Sequence, residues 1–173
     1  MADALQTTPP AIDSALQRAH RTVDERLPAQ SQQATLDSLD DQRVRQIVDG
    51  FVKAWETDDV DALVTLLARD AVLSMPPQRE WYAGPDAIGT FLAKWPLRLA
   101  SWRIVPTRAN GQLAFAQYVQ NHGEDVFSAH AIVVLTLERS EVGQITIFRS
   151  AELFDRFGLP DVWSEEAFGA RSP

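Results

Sequence analysis

Between Phe51 and Phe91 the spacing of apolar residues alternates between helical and extended periods, and this restricts the folds open to the chain. Val48, Phe51, Val52 and Trp55 recur at intervals of three and four, the period of a helix with one buried side. Asp58 and Asp59 break this helix and cap a second, in which Val60, Leu63, Leu66 and Leu67 repeat the spacing and Asp70 closes it. The run Ala71-Val72-Leu73-Ser74-Met75 is too short for a helix and ends at Pro76-Pro77, so it reads as a strand. Gly84, Pro85 and Asp86 open a third helix with Ile88, Phe91, Leu92 and Trp95 on its apolar face.

Beyond Ser101 the period falls to two. Trp102, Ile104 and Pro106 share one side of a strand over Ser101 to Arg108. Leu113, Phe115, Gln117 and Val119 then alternate with Ala114, Ala116 and Tyr118. Asn110-Gly111 between these runs is a strong two-residue hairpin signal. Asn121 to Asp125 makes a second turn, Val126 to Glu138 a long strand, Ser140 to Gly143 a third turn and Gln144 to Arg149 a last strand. Ala151 to Phe157 reads as a short helix or turn, and the tail past Pro160 as an extension anchored by Trp163 and Phe168. Three helices with one short strand among them, followed by an antiparallel meander, make an α+β cone: helices packed on a curved antiparallel sheet around a pocket. A binding module that forms a homodimer through its open sheet face is a further alternative.

The chain has 173 residues, enough for a core that needs no staple, and 45% of them are hydrophobic. Its formal net charge of -8 argues against general binding to nucleic acid or anionic membranes. It contains no cysteine, which excludes disulfides, a thiolate nucleophile and thiolate metal ligands. No apolar run approaches the roughly 20 residues needed to span a bilayer, and no signal-peptide pattern is visible. A cytoplasmic location is the expectation.

The N-terminal segment has a different character. Thr8 caps a helix with Pro9 at its first position; Ala11, Ile12, Ala15, Leu16, Ala19 and Val23 form its apolar stripe, and Pro28 ends it. Ala29 to Asp40 is rich in Gln and Ser and reads as a linker, with Leu36 and Leu39 available for docking. The expected layout is therefore a helical segment over 1–28, a linker over 29–40, the main domain over 41–160 and a tail over 161–173. The run ADALQTTPPAIDSALQRAHRTVDERL resembles the C-terminal half of the region 4 helix-turn-helix of extracytoplasmic-function (ECF) sigma factors. Ala2 to Leu5 would end its first helix, Gln6 to Pro9 form the turn and Pro10 to Asp24 the recognition helix. The resemblance implies a DNA-facing side carrying Asp13, Ser14, Gln17 and Arg18. Asp13 departs from the neutral or basic residue expected there, His20 stands where arginine is common, and region 2 is absent. Promoter contact is accordingly expected only within an intact parent sigma factor.

Residues Val44 to Pro160 resemble the SnoaL-like branch of the NTF2-like superfamily, with W-Y-x-G-x-x-A-I at Trp81 to Ile88 as a marker. The set MPP (Met75 to Pro77), WYAG (Trp81 to Gly84), PTRANGQLAFAQY (Pro106 to Tyr118) and LFDRFGLP (Leu153 to Pro160) resembles the C-terminal extension of ECF sigma factors. This implies a domain that modulates transcription initiation, with RNA polymerase core and sigma regions 2 and 4 of the parent as partners. It also implies contact with the sigma core at Asn110 and Gly111, although Leu113 replaces a proline usual among relatives.

The same fold hosts isomerases and cyclases, so activity must be read from residues. A ketosteroid-isomerase mechanism needs a carboxylate base, a tyrosine and a protonated acid. Those places fall on Met75, on Phe51 and near Val134 or Leu135, none of which can serve. No catalytic residue, cofactor or metal is expected. The expected pocket for a small apolar ligand comprises Phe51, Trp55, Met75, Trp81, Tyr82, Tyr118, His130 and Arg149, while Trp55 and Trp95 also suit the core. The alternative is an NTF2-like enzyme acting on a hydrophobic substrate through His130, Tyr118 or Arg149.

Overall fold

The computed structural model describes residues 8–26 and 31–168, which fall into two units divided at Ser31 and Gln32. In the first, helix α1 (Pro9–Arg26) starts at the expected proline. Asp13, Ser14, Gln17 and Arg18 are exposed, and so is Leu16, at 52%, from the apolar stripe. The expected end of a preceding helix at Ala2 to Leu5, and Pro28, lie outside the described residues.

The second unit opens with α2 (Gln32–Asp37), inside the segment expected to be a linker. Packing overrides its polar composition: Thr35 and Leu36 are buried. The Gln32 carboxamide donates from Nε2 to the Leu137 carbonyl at 2.8 Å and accepts from the Leu137 N–H at 2.7 Å. It thereby serves as a strand partner for a residue beyond the last pair of the adjoining ladder. Next come α3 (Asp41–Glu56), whose N-terminus is capped by Asp40, and α4 (Val60–Thr65), capped by Asp59. Strand β1 (Leu67–Ser74) starts at Leu67, so α4 is shorter than expected and Asp70 lies within the strand instead of closing the helix. The cause is β6 (Glu141–Phe148), which pairs Val142 with Leu67 and draws that segment into the sheet.

The short β2 (Trp81–Ala83) leads to α5 (Pro85–Lys94) and α6 (Pro96–Leu99). The meander is β3 (Ala100–Ala109), β4 (Gln112–Asn121), β5 (Phe127–Glu138) and β6. Asn110 (φ 50°) and Gly111 (φ 80°) both take the left-handed conformation that their hairpin turn requires. The sheet order is β2-β1-β6-β5-β4-β3. β1 joins β6 in parallel, so the sheet is mixed, not antiparallel throughout. The long connection through the helices and the meander permits this parallel approach. Trp102, Ile104, Leu113, Phe115, Ala131, Val133, Ile145 and Ile147 belong to the core beneath α3, α4 and α5.

The opposite sheet face is partly covered. After α7 (Leu153–Arg156), the strand β7 (Val162–Trp163) pairs with the start of β5, and α8 (Glu165–Phe168) follows. Phe154 and Leu159 bury Ala116, Tyr118 and Ile132 on this side. Trp163 meets Phe127 edge-on at 5.9 Å and Phe168 at 6.4 Å, with the Arg103 guanidinium 4.8 Å from the Phe127 ring centre. The face expected to be free for a second copy thus carries the chain's own C-terminal segment over part of its area.

Phe115 is fully buried at the middle of β4, 4.5 Å from the Phe51 ring. Phe115→Ala should lower the unfolding free energy by about 3–5 kcal/mol in urea denaturation at neutral pH. A loss below about 1 kcal/mol would mean that this contact does not organise the core.

Candidate functional site

The helices and the concave sheet face enclose a cavity of about 440 Å³. Trp55 from α3 and Gln117 from β4 are the most buried of its lining residues, each only 1% exposed. Met75, Tyr82, Phe91, Trp102, Val119 and Ile147 form apolar walls. Asn121, Arg149, Leu99 and Trp95 are exposed at the rim. Trp95 is 61% exposed, contrary to the core position expected for it, because α5 ends there and the chain turns into α6 at Pro96.

Five of the sequence-predicted pocket residues meet in this cavity: Trp55, Met75, Tyr82, His130 and Arg149. Three do not line it. Phe51 sits one helical turn from Trp55 but is packed against Phe115 in the core. Trp81 is 63% exposed on the edge strand β2. Tyr118 belongs to the opposite sheet face, where its hydroxyl donates to the Pro160 carbonyl at 3.0 Å and its ring packs on Phe154. Strand alternation is the physical reason: Phe115, Gln117 and Val119 face the cone, so Tyr118 must face away. The expected His130–Tyr118 pair is therefore split across the sheet.

His130 reaches the cavity through a β-bulge. Gln117 pairs with Ala131 and Tyr118 with Ala129, so one step on β4 spans two on β5 and His130 is the extra residue. Its ring meets Trp102 edge-on at 5.3 Å. Burial pushes the imidazole down to about 4, and the Arg149 guanidinium adds to the effect. His130 is hence neutral at pH 7. On the other face, burial and then Asp161 push the Tyr118 hydroxyl up to about 12.

Several lining residues were not singled out from the sequence. Gln117 was visible there as the one carboxamide in the apolar row Leu113-Phe115-Gln117-Val119. Phe91 reads from the sequence as part of a helix's apolar face, and Trp102 as either core or pocket. The indole N–H of Trp102 donates to the Pro96 carbonyl at 2.9 Å. The indole Nε1 of Trp55 and the carboxamide Nε2 of Gln117 are buried and, among the described residues, have no hydrogen-bond partner. Chemically the cavity offers apolar walls, the neutral imidazole of His130 and, among the described residues, one guanidinium at the mouth. Met75 stands where an isomerase base would be, and Val134 and Leu135 are aliphatic. Among the described residues no three His, Asp or Glu side chains are placed to hold a metal ion.

A second, open concavity of about 970 Å³ lies beside the Asn110-Gly111 hairpin. Val44, Val48, Leu113 and Phe157 form its apolar part, and the exposed Arg45, Arg108 and Arg156 give it positive charge.

The His130 environment makes a signed pH prediction. The unfolded chain binds a proton near pH 6.5 and the folded one near 4, so this residue's contribution to stability is complete above 6.5 and lost as pH falls towards 4. The stability difference between wild type and His130→Asn should shift against the wild type by roughly 1–3 kcal/mol over that interval, read from urea midpoints. A pH-independent difference would show that His130 is not held neutral.

The geometry can be set beside known proteins. Over 163 residues, 93% of this chain, the sequence is 31% identical to the ECF RNA polymerase sigma factor SigG of Mycobacterium tuberculosis, in strains H37Rv and CDC 1551. The chain spans 43% of the length of those relatives. An NTF-2 like protein of unknown function from Burkholderia xenovorans LB400 matches with a TM-score of 0.54 and 14% identity, over 63% of this chain and 84% of that one. An LEH-like epoxide hydrolase of M. tuberculosis matches with a TM-score of 0.51 and 13% identity, over 67% and 90%. At these identities the structural likeness is one of fold alone, the NTF2-like cone. Residues 48–148, more than half of the chain, match the SnoaL-like domain family, and the chain belongs to that family.

Proposed function

We propose that this chain is a non-catalytic regulatory and ligand-binding part of an ECF-type sigma factor. In this reading the cone modulates how the sigma factor engages RNA polymerase core and promoter DNA, and a small apolar ligand in the cavity biases that engagement. The observation that carries it is the extent of the likeness to SigG: 93% of the chain, a span that takes in α1 as well as the cone. The contents of the cone support the non-catalytic part. Proton transfer needs a base and an acid within reach of one substrate. Here the two expected places hold Met75 and Phe51, and Tyr118 is turned away from His130.

The groove at Asn110 and Gly111 is our candidate for contact with sigma regions 2 and 4, since three arginines beside an apolar strip suit an acidic, amphipathic partner surface. The exposed side of α1, with Asp13, Ser14, Gln17 and Arg18, would meet DNA only where the remainder of region 4 orients it.

One arrangement favours the competing enzymatic reading: neutral His130 and Arg149 line one cavity, in a fold shared with an epoxide hydrolase. That reading predicts turnover of a hydrophobic substrate that is lost in His130→Asn. The regulatory reading predicts a different result. In vitro transcription by RNA polymerase with the sigma factor carrying this chain should change severalfold when residues 32–173 are removed. Initiation unaffected by removal of the cone would overturn the proposal.

A further inference from the structure

The charge at the rim of the cavity constrains a ligand in a way that its apolar walls do not. Cone-facing rows of β4 and β6 end at this rim. On β6, Ile145 and Ile147 belong to the core, and strand alternation puts Arg149 on their side, where it lines the cavity just past the strand end. Phe148 and Ile132 form an end pair of the β5–β6 ladder, so Arg149 comes next, alongside the step of β5 that carries His130. His130 registers this nearness, since the Arg149 charge helps to hold its imidazole neutral. Asn121 ends the row Gln117-Val119 on β4 at the same rim.

Among the described residues Arg149 forms no hydrogen bond or ion pair, and no Asp or Glu lines the cavity. The Glu124 carboxylate is taken up by Asn121, whose backbone N–H and Nδ2 donate to Oε2 at 3.2 and 3.1 Å. The chain carries 24 acidic against 16 basic side chains, so a lining that holds a cation and no acid runs against its composition.

We propose that the cone takes an amphipathic monocarboxylate, with a flat apolar ring body against Trp102, Phe91 and Tyr82 and its carboxylate at the rim on the Arg149 guanidinium. This rests on the ligand-binding reading above and gives the ligand a charge and an orientation. A planar guanidinium offers a carboxylate two parallel N–H donors. Because Arg149 is exposed, the remaining lone pairs of the carboxylate stay in water, and the pair forms without the desolvation that an interior site would impose. The reverse orientation would bury the charge among apolar side chains. One guanidinium beside a neutral imidazole matches one negative charge, whereas a phosphate monoester would bring a second with nothing to meet it.

Three probes share one ring system and differ in charge: 2-naphthoate, 2-naphthalenemethanol and 2-naphthylmethylammonium. In calorimetric titrations of the full 173-residue chain at neutral pH and low salt, the carboxylate should bind about fivefold more tightly than the alcohol, and the ammonium more weakly than either. The preference should shrink as salt is raised. Arg149→Gln should bring carboxylate and alcohol to within about twofold of each other. Arg149→Glu should reverse the order, so that the ammonium binds best. Both substitutions change an exposed side chain, and an unchanged circular dichroism spectrum checks that the fold is kept. Equal binding of carboxylate and alcohol by the wild type would overturn the carboxylate assignment while leaving an apolar site in the cone. A preference that survives in Arg149→Gln would overturn it too, by moving the anion elsewhere, as to the arginine groove beside Asn110. Binding of none of the three probes would overturn the assignment and the ligand-binding reading together.

Discussion

The cone depends on the contact between α3 and the middle of the sheet. Phe51 packs on Phe115 at 4.5 Å, Trp55 meets Phe51 at 5.6 Å and Trp102 edge-on at 6.0 Å. This aromatic chain joins one helix to β4 and β3 and closes one side of the enclosure. Its reach extends to the edge of the sheet. The Glu56 carboxylate, at the end of α3, accepts from the Ile104 N–H of β3 at 2.9 Å, so the helix also occupies a donor on a strand with one sheet neighbour. Remove this layer and the concave face becomes an open apolar surface. With it in place, the space left between Trp55, Trp102 and β4 is the cavity.

The same packing separates structural from chemical roles along α3. Phe51 and Trp55 are one helical turn apart and both are buried, yet Phe51 is wholly core and Trp55 is both core and cavity floor. A polar group tolerated without a partner at such a place has a cost, and one ready explanation for that cost is function. Gln117 repeats the pattern from the sheet side. The bulge at His130 adds a third neutral polar group and explains how an imidazole can enter a predominantly apolar enclosure without carrying charge.

Much of this was legible in the sequence because it follows from periodicity. The helix stripes, the Asn110-Gly111 turn, the meander and the Gly84-Pro85 helix start all appear where local spacing and turn chemistry place them. Two of the differences depend on long-range partners. Leu67 was drawn from helix to strand by Val142, 75 positions away by number, and the polar segment at Gln32 became a helix by bonding Leu137. Tyr118 could have been placed correctly from alternation alone, since Gln117 and Phe115 bracket it on the other parity. The His130 bulge could not, because an extra residue in a strand leaves no mark in an apolar run. Trp95 reads as core on helical periodicity and is exposed because the helix stops there.

The fold leaves enzyme and binding module both open, and the contents of the cone are what bear on the choice. Its walls are apolar, and among the described residues that line it the one charged side chain, Arg149, is exposed at the rim. The most direct test of this account is a crystal structure of the chain with the apolar ring compound fluorene. The account predicts the ring system within the cone, against Trp102, Phe91 and Tyr82. A cone filled by its own side chains would contradict it.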